Sequence, residues 1–97
     1  MGKLEISFDA TKRRSTLAIR GLDFADAAKV FDGPVFESED DRFDYPERRY
    51  ATIGLLGDRM VVIIWTEAVN GRRIISMRKA NEREQAKYRT KLRRRLA

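Results

Sequence analysis

Apolar and polar residues alternate along Leu4-Glu5-Ile6-Ser7-Phe8, the period of a half-buried strand. Asp9 is placed to cap a helix over Lys12 to Arg20, a basic segment whose few apolar residues, Leu17 and Ala18, predict an exposed surface before Gly21 stops it. Leu22 and Asp23 supply a staple residue and an N-cap for the next segment, with Asp26 standing where a capping box would use Glu. Phe24, Ala27, Ala28 and Phe31 then recur at i, i+3, i+4 and i+7, a helical stripe whose spacing assigns the aromatics to the core, and Gly33-Pro34 ends it.

Val35 to Glu39 has the length of a short edge strand, and Asp40-Asp41-Arg42-Phe43-Asp44-Tyr45-Pro46, acidic and closed by proline, reads as a connection. Three strands follow: Arg49 to Leu55, Met60 to Thr66 and Arg73 to Met77, separated by turns at Gly57-Asp58 and Val69-Asn70-Gly71. The middle one is apolar on both faces, which predicts a central, covered position. Turns this short join antiparallel neighbours. The expected fold is therefore α+β, an antiparallel meander of three to five twisted strands with two amino-terminal helices and a carboxy-terminal helix, in the order β-α-α-β-β-β-β-α. The last helix starts after Asn81, with Glu84 completing a variant of the capping box, and runs towards Leu96 on the slight apolar anchorage of Ala86 and Leu92. Arg93-Arg94-Arg95 is expected to fray.

At 97 residues the chain is expected to form one domain, with a basic tail over about residues 90–97. A charged fraction of 37% is high, yet 42% apolar residues in strand-like and helix-like patterns argue for a folded chain. With neither cysteine nor histidine, disulfides, thiolate metal sites and imidazole chemistry are excluded, so no metal site or cofactor is expected. The longest apolar run, Met60 to Trp65, is far short of the roughly 20 residues of a membrane span. The amino-terminal residues lack a signal-peptide apolar region, so a cytoplasmic location and no membrane partner are expected.

Net charge is +6, but the charges are segregated: residues 72–97 carry eleven Lys/Arg against two Glu, and residues 23–47 carry nine acids against Lys29 and Arg42. A cationic segment of this density suits a polyanion such as nucleic acid, or an acidic protein; it is equally compatible with a solvated helix face. Strict alternation in the last strand puts Ile74, Ser76 and Arg78 on one face and Arg73, Ile75 and Met77 on the other. Glu84 and Tyr88 lie one turn apart on one side of the final helix. Arg78, Glu84 and Tyr88 are thus placed to converge where strand passes into helix, either as a functional cluster or as an ion pair that fixes the junction with Tyr88 packed beside it.

Several stretches together resemble a known family. They are Phe8-Asp9 with Lys12; Gly21-Leu22-x-Phe24, Ala28 and Val30-Phe31; Glu47-Arg48 ahead of Ile53-Gly54; Arg73-Ile74-Ile75-Ser76-x-Arg78-x-Ala80; and Glu84-x-x-x-Tyr88. In this colinear pass over roughly residues 4–90 the chain resembles the BrnT toxins. The resemblance implies a RelE-like ribonuclease fold and the toxin half of a type II toxin–antitoxin pair. Such a toxin inhibits translation by cleaving RNA and is neutralised by a BrnA-like ribbon-helix-helix antitoxin, the two together repressing their operon by binding operator DNA through the antitoxin.

Attack of an RNA 2′-hydroxyl on the neighbouring phosphate needs a base, positive charge on the phosphoryl oxygens and an acid for the departing 5′-oxygen, and no metal is obligatory. Arginine suits the second task through its planar, permanently charged fork. Arg78 is the first candidate for it, followed by Arg73 and Arg48. Glu84, Tyr88 and Lys12 are the candidates for proton transfer, each needing a shifted pKa to work near neutrality. Arg20, Arg73, Lys79, Arg83 and Lys87 are candidate RNA contacts. The chain departs from its relatives where Ile19-Arg20-Gly21 replaces the usual Lys-His-Gly and Phe8 the usual tryptophan, which leaves the acid/base pair open. The alternative is a catalytically weak or inactive nucleic-acid-binding domain that acts mainly through a partner.

Overall fold

The structure, a computed structural model, describes residues 5–96; Leu4, which opens the first alternating segment, and Ala97 of the basic tail lie outside the described residues. The elements are β1 (Glu5–Phe8), α1 (Ala10–Arg20), a 3-10 turn (Phe24–Asp26), α2 (Ala27–Asp32), β2 (Val35–Glu39), β3 (Arg49–Leu56), β4 (Arg59–Ala68), β5 (Gly71–Lys79) and α3 (Glu82–Leu96). The predicted order of elements holds. The five strands form one sheet in the order β1-β5-β4-β3-β2, so β4 is central and β2 is an edge, as the apolar pattern implied.

The sheet is mixed, which corrects the expected antiparallel meander: β2 to β5 are antiparallel neighbours, but β1 runs parallel to β5, pairing Glu5 with Gly71 and Phe8 with Ile74. Parallel pairing needs a long crossover, which everything between β1 and β5 provides, and period-two alternation carries no information about which edge a strand takes. Gly71 makes the approach possible. A Cβ there would collide with the carbonyl oxygen of Glu5.

Each helix follows from its termini. Asp9 accepts hydrogen bonds from the Thr11 and Lys12 amides at the start of α1, and Gly21 closes the helix in the left-handed region at φ 69°. No residue of α1 is buried; bidentate pairing of Arg13 with Asp23 and a hydrogen bond from Arg20 to the Met77 carbonyl hold it in place. The stripe from Phe24 divides into the 3-10 turn and the short α2, and it buries Phe24, Ala27 and Val30 while Ala28 is exposed. At α3 the capping box forms in full, with Asn81 Oδ1 accepting from the Glu84 amide and Glu84 Oε1 accepting from the Asn81 amide.

Both faces of the sheet are covered, which explains why β4 is apolar on every side. On one face Leu22, Phe24, Ala27 and Val30 pack on Val61, Ile63, Trp65, Ile74 and Met77. On the other, Leu92 of α3 packs with Ile53, Met60, Val62, Ile64 and Ala80, with Phe36 and Tyr88 at its margin. Ala86, expected to anchor α3, is exposed, and Leu92 is fully buried. The basic end does not fray as expected. The helix runs to Leu96, and Arg95 donates to the Val35 carbonyl at 2.7 Å with its guanidinium 3.9 Å from the Phe36 ring centre. Cations in the last turn also complement the helix dipole.

Strict alternation fails once, in β5. Trp65 is opposite Ile74 and Ile64 is opposite Ser76, so Ile75 is an extra residue, a β-bulge. The bulge puts Ile74 and Met77 on the α2 side of the sheet and Ile75 and Arg78 on the α3 side. The expected grouping of Ile74 with Ser76 and Arg78, and of Ile75 with Met77, is thereby corrected. Arg73 and Arg78 share a face.

Candidate active site

The chain turns from β5 into α3 within two residues, and this junction delivers Arg78 and Glu84 to each other. Arg78 Nη1 and Nη2 donate to Glu84 Oε1 and Oε2 at 2.8 and 2.9 Å, a bidentate fork that also carries the capping carboxylate of α3. Arg78's hydrogen bond comes first among the causes holding the Glu84 carboxyl below its usual range, with the Asn81 amide and the charge of Arg78 adding to it against partial desolvation. Glu84 is therefore a firmly ionised positioning group. That shift opposes proton transfer near neutrality, the role open to it from sequence alone.

One helical turn on, the Tyr88 ring lies against Phe36 with centroids 5.3 Å apart, flanked by Lys87 and Lys91 Nζ at 5.1 and 5.8 Å from its centre. Its hydroxyl has no hydrogen-bond partner among the described residues. Arg78, Glu84, Tyr88, Arg83 and Lys87 line a pocket of about 510 Å³ between α3 and the sheet, with an apolar floor of Phe36, Ile53, Val62 and Ile64.

A second arginine, not singled out from sequence, closes this pocket from the β2–β3 connection. Asp40 is buried at 6% exposure, yet its carboxylate accepts from Arg42 Nε and Nη2 at 2.7 and 3.0 Å and from the Tyr45 hydroxyl at 3.3 Å. Arg42's hydrogen bond leads the causes that hold Asp40 below the usual carboxylate range. Asp40 thus fixes the position of Arg42, whose side chain is 63% exposed and whose charge reaches both Arg78 and Glu84. No sequence period flags this arrangement, because the burial of Asp40 depends on its amide bonding to the Arg49 carbonyl at 2.8 Å.

The remaining candidates lie apart from this pocket. Lys12 is exposed in the first turn of α1. Arg48 lines a separate groove under the β2–β3 connection, 3.6 Å from Glu39. Arg73 is exposed towards the far end of β5, paired with Ser7 and Thr66. Arg20 and Lys79 border a third pocket, on the other side of β5. Trp65 and Tyr50 are packed, stacked at 4.7 Å, with the Trp65 indole donating to Thr52 Oγ1. Among the described residues no group of three or more Asp/Glu is arranged to hold a metal ion, and no helix is long and apolar enough to cross a membrane.

A mixed α+β sheet whose pocket beneath α3 holds two carboxylate-anchored arginines and an unengaged tyrosine hydroxyl has the parts of a site for phosphate esters. Residues 8–84 match the family described as the ribonuclease toxin, BrnT, of type II toxin–antitoxin systems, and the chain belongs to that family. No curated protein matches the chain at significant similarity.

Proposed function

We propose that this BrnT-family toxin is an endoribonuclease that cuts RNA by attack of the 2′-hydroxyl on the adjacent phosphate, a reaction that needs no metal. Translation is thereby inhibited. The observation that carries the reading is the pair of guanidiniums, Arg78 and Arg42, each held bidentate by its own carboxylate on one pocket. Anchored in this way they present fixed donors to the phosphoryl oxygens, where charge builds up in the transition state. Glu84 and Asp40 position them. The Tyr88 hydroxyl, on the pocket and without a hydrogen-bond partner among the described residues, suits delivery of a proton to the departing 5′-oxygen. Arg83 and Lys87 line the same pocket and hold the flanking backbone. Neutralisation follows when a BrnA-like ribbon-helix-helix antitoxin covers this basic side with an acidic or apolar segment, and the pair binds operator DNA through the antitoxin.

The test is incubation of purified protein with a defined RNA. New ends bearing 5′-hydroxyl and 2′,3′-cyclic phosphate are expected, blocked by a 2′-deoxy substitution at the cut and lost in Arg78→Ala. RNA bound but left intact by the wild type would sink the proposal in favour of the second reading, a binding domain without cleavage. That reading draws on Glu84, whose lowered pKa and bidentate bond to Arg78 leave Tyr88 as the remaining proton-transfer candidate on the pocket.

A further inference from the structure

Only half of the β5 edge is covered. β1 pairs with Gly71 to Ile74, so from Ile75 to Lys79 the strand has β4 on one side and no strand on the other among the described residues. Arg20 reaches this bare edge from the last turn of α1, donating Nη1 to the Met77 carbonyl at 2.9 Å, which fixes its guanidinium there. Beside it opens the third pocket, about 450 Å³, lined by Arg20, Leu22, Arg59, Val61, Arg78 and Lys79. Four of these six are cations and none is an acid.

The charge balance differs from that of the first pocket. There Arg78 and Arg42 each have a carboxylate; here Arg20, Arg59 and Lys79 form no ion pair among the described residues. Cations gathered in a concave site without counter-charge repel one another and raise the local potential, an arrangement whose natural complement is an anion. Arg78 borders both pockets, and the next residue, Lys79, projects to the opposite face of the strand. The two pockets therefore adjoin around the uncovered end of β5.

We propose that the third pocket is a second phosphate subsite. It binds the phosphate next to the scissile linkage as a single-stranded RNA passes round the bare end of β5 from the α3 side to the α1 side. Arg59 and Lys79 contact this phosphate, and Arg20 closes the site. The inference rests on the RNA-cleaving reading and deepens it by fixing the path of the strand.

Fully 2′-deoxy oligonucleotides of two and six residues, which present the phosphates without the attacking hydroxyl, separate binding from cleavage. Their affinities for the wild-type chain and for Arg59→Ala/Lys79→Ala are measured by fluorescence anisotropy over a series of salt concentrations. The wild type gains about tenfold in affinity from the short to the long strand, and the variant loses most of that gain. Its salt slope for the long strand falls by about 0.7, the value for one phosphate contact on a single strand. A control variant, Arg14→Ala/Lys29→Ala, removes the same charge away from both pockets. If the control loses as much as the test variant, or if the test variant weakens both lengths equally, the effect is general attraction and the subsite is refuted. If inorganic phosphate competes equally with both lengths and the longer strand binds no tighter, the pocket is a free-anion site and the strand path is wrong. A wild type that binds with the expected length dependence but cuts no RNA overturns the ribonuclease reading and leaves the subsite standing.

Discussion

The Arg78 guanidinium has two donors committed to Glu84, and that commitment gives the residue a geometry lysine cannot copy. Arg78→Lys is expected to lower the RNA cleavage rate by tenfold or more, while the thermal transition shifts by only a few degrees, since a partly exposed pair contributes about 1 kcal/mol or less. Retained cleavage in the lysine variant would show that charge alone suffices. Glu84 also makes a pH prediction. Its folded pKa is lowered, so its contribution is fully present above the unfolded value of about 4.3 and is lost as pH falls through the folded one. Wild type should melt above Glu84→Gln near neutrality, and the gap should close as the buffer is taken below about pH 4. A gap that persists in strong acid would assign the effect to packing. Arg78, Glu84 and Tyr88 could be brought together from sequence because strand end and helical turn are both short-range geometry. Arg42 could not, because its anchor is a carboxylate whose burial is decided by the path of a nine-residue connection between β2 and β3.

Among the elements, α3 carries the clearest energetic stake. Among the described side chains of α3 Leu92 is the one fully buried, so Leu92→Ala should cost about 2–5 kcal/mol in chemical denaturation. Removing residues 93–97 also deletes the contacts of Arg95 with Val35 and Phe36. That truncation should destabilise the fold by roughly 1–2 kcal/mol besides weakening RNA association, an effect not expected of a frayed end. Unchanged melting with weakened binding would return the tail to a purely electrostatic role. At the opposite edge, Gly71→Ala forces a methyl group into the backbone of Glu5 and should detach β1, seen as loss of amide protection over Glu5 to Phe8. Strand positions and turns were legible because alternation and Gly/Asn chemistry are local. The parallel placement of β1 and the bulge at Ile75 were not, because each arises from pairing between distant segments.

Over the whole molecule, folding brings the acidic and basic stretches of the sequence face to face. The pocket beneath α3 has Glu39 to Asp41 of the β2 side on one wall and Arg83 and Lys87 on the other. Asp41 is exposed and forms no ion pair among the described residues. It lies well placed to repel an incoming phosphate within the Debye length of about 10 Å at 0.1 M salt. Asp41→Asn should raise RNA affinity severalfold in low salt and make no difference in high salt, as read from titrations at both. An effect independent of salt would point to a change of local structure instead. The segregated charge was plain in the sequence; that its two halves share a pocket was not, since this depends on where the sheet order places β2 relative to α3.

The extra residue at Ile75 makes the bulge itself, and not only chemistry, a requirement of this strand. Excising it would leave Ile74 opposite Trp65 and Ser76 opposite Ile64, with Arg78 still on the α3 side. Drawing it into the ladder would instead swing the guanidinium through the sheet to the side occupied by Phe24 and Val30. The same residues laid out without the bulge would keep the local motif and yet aim its arginine into the wrong compartment.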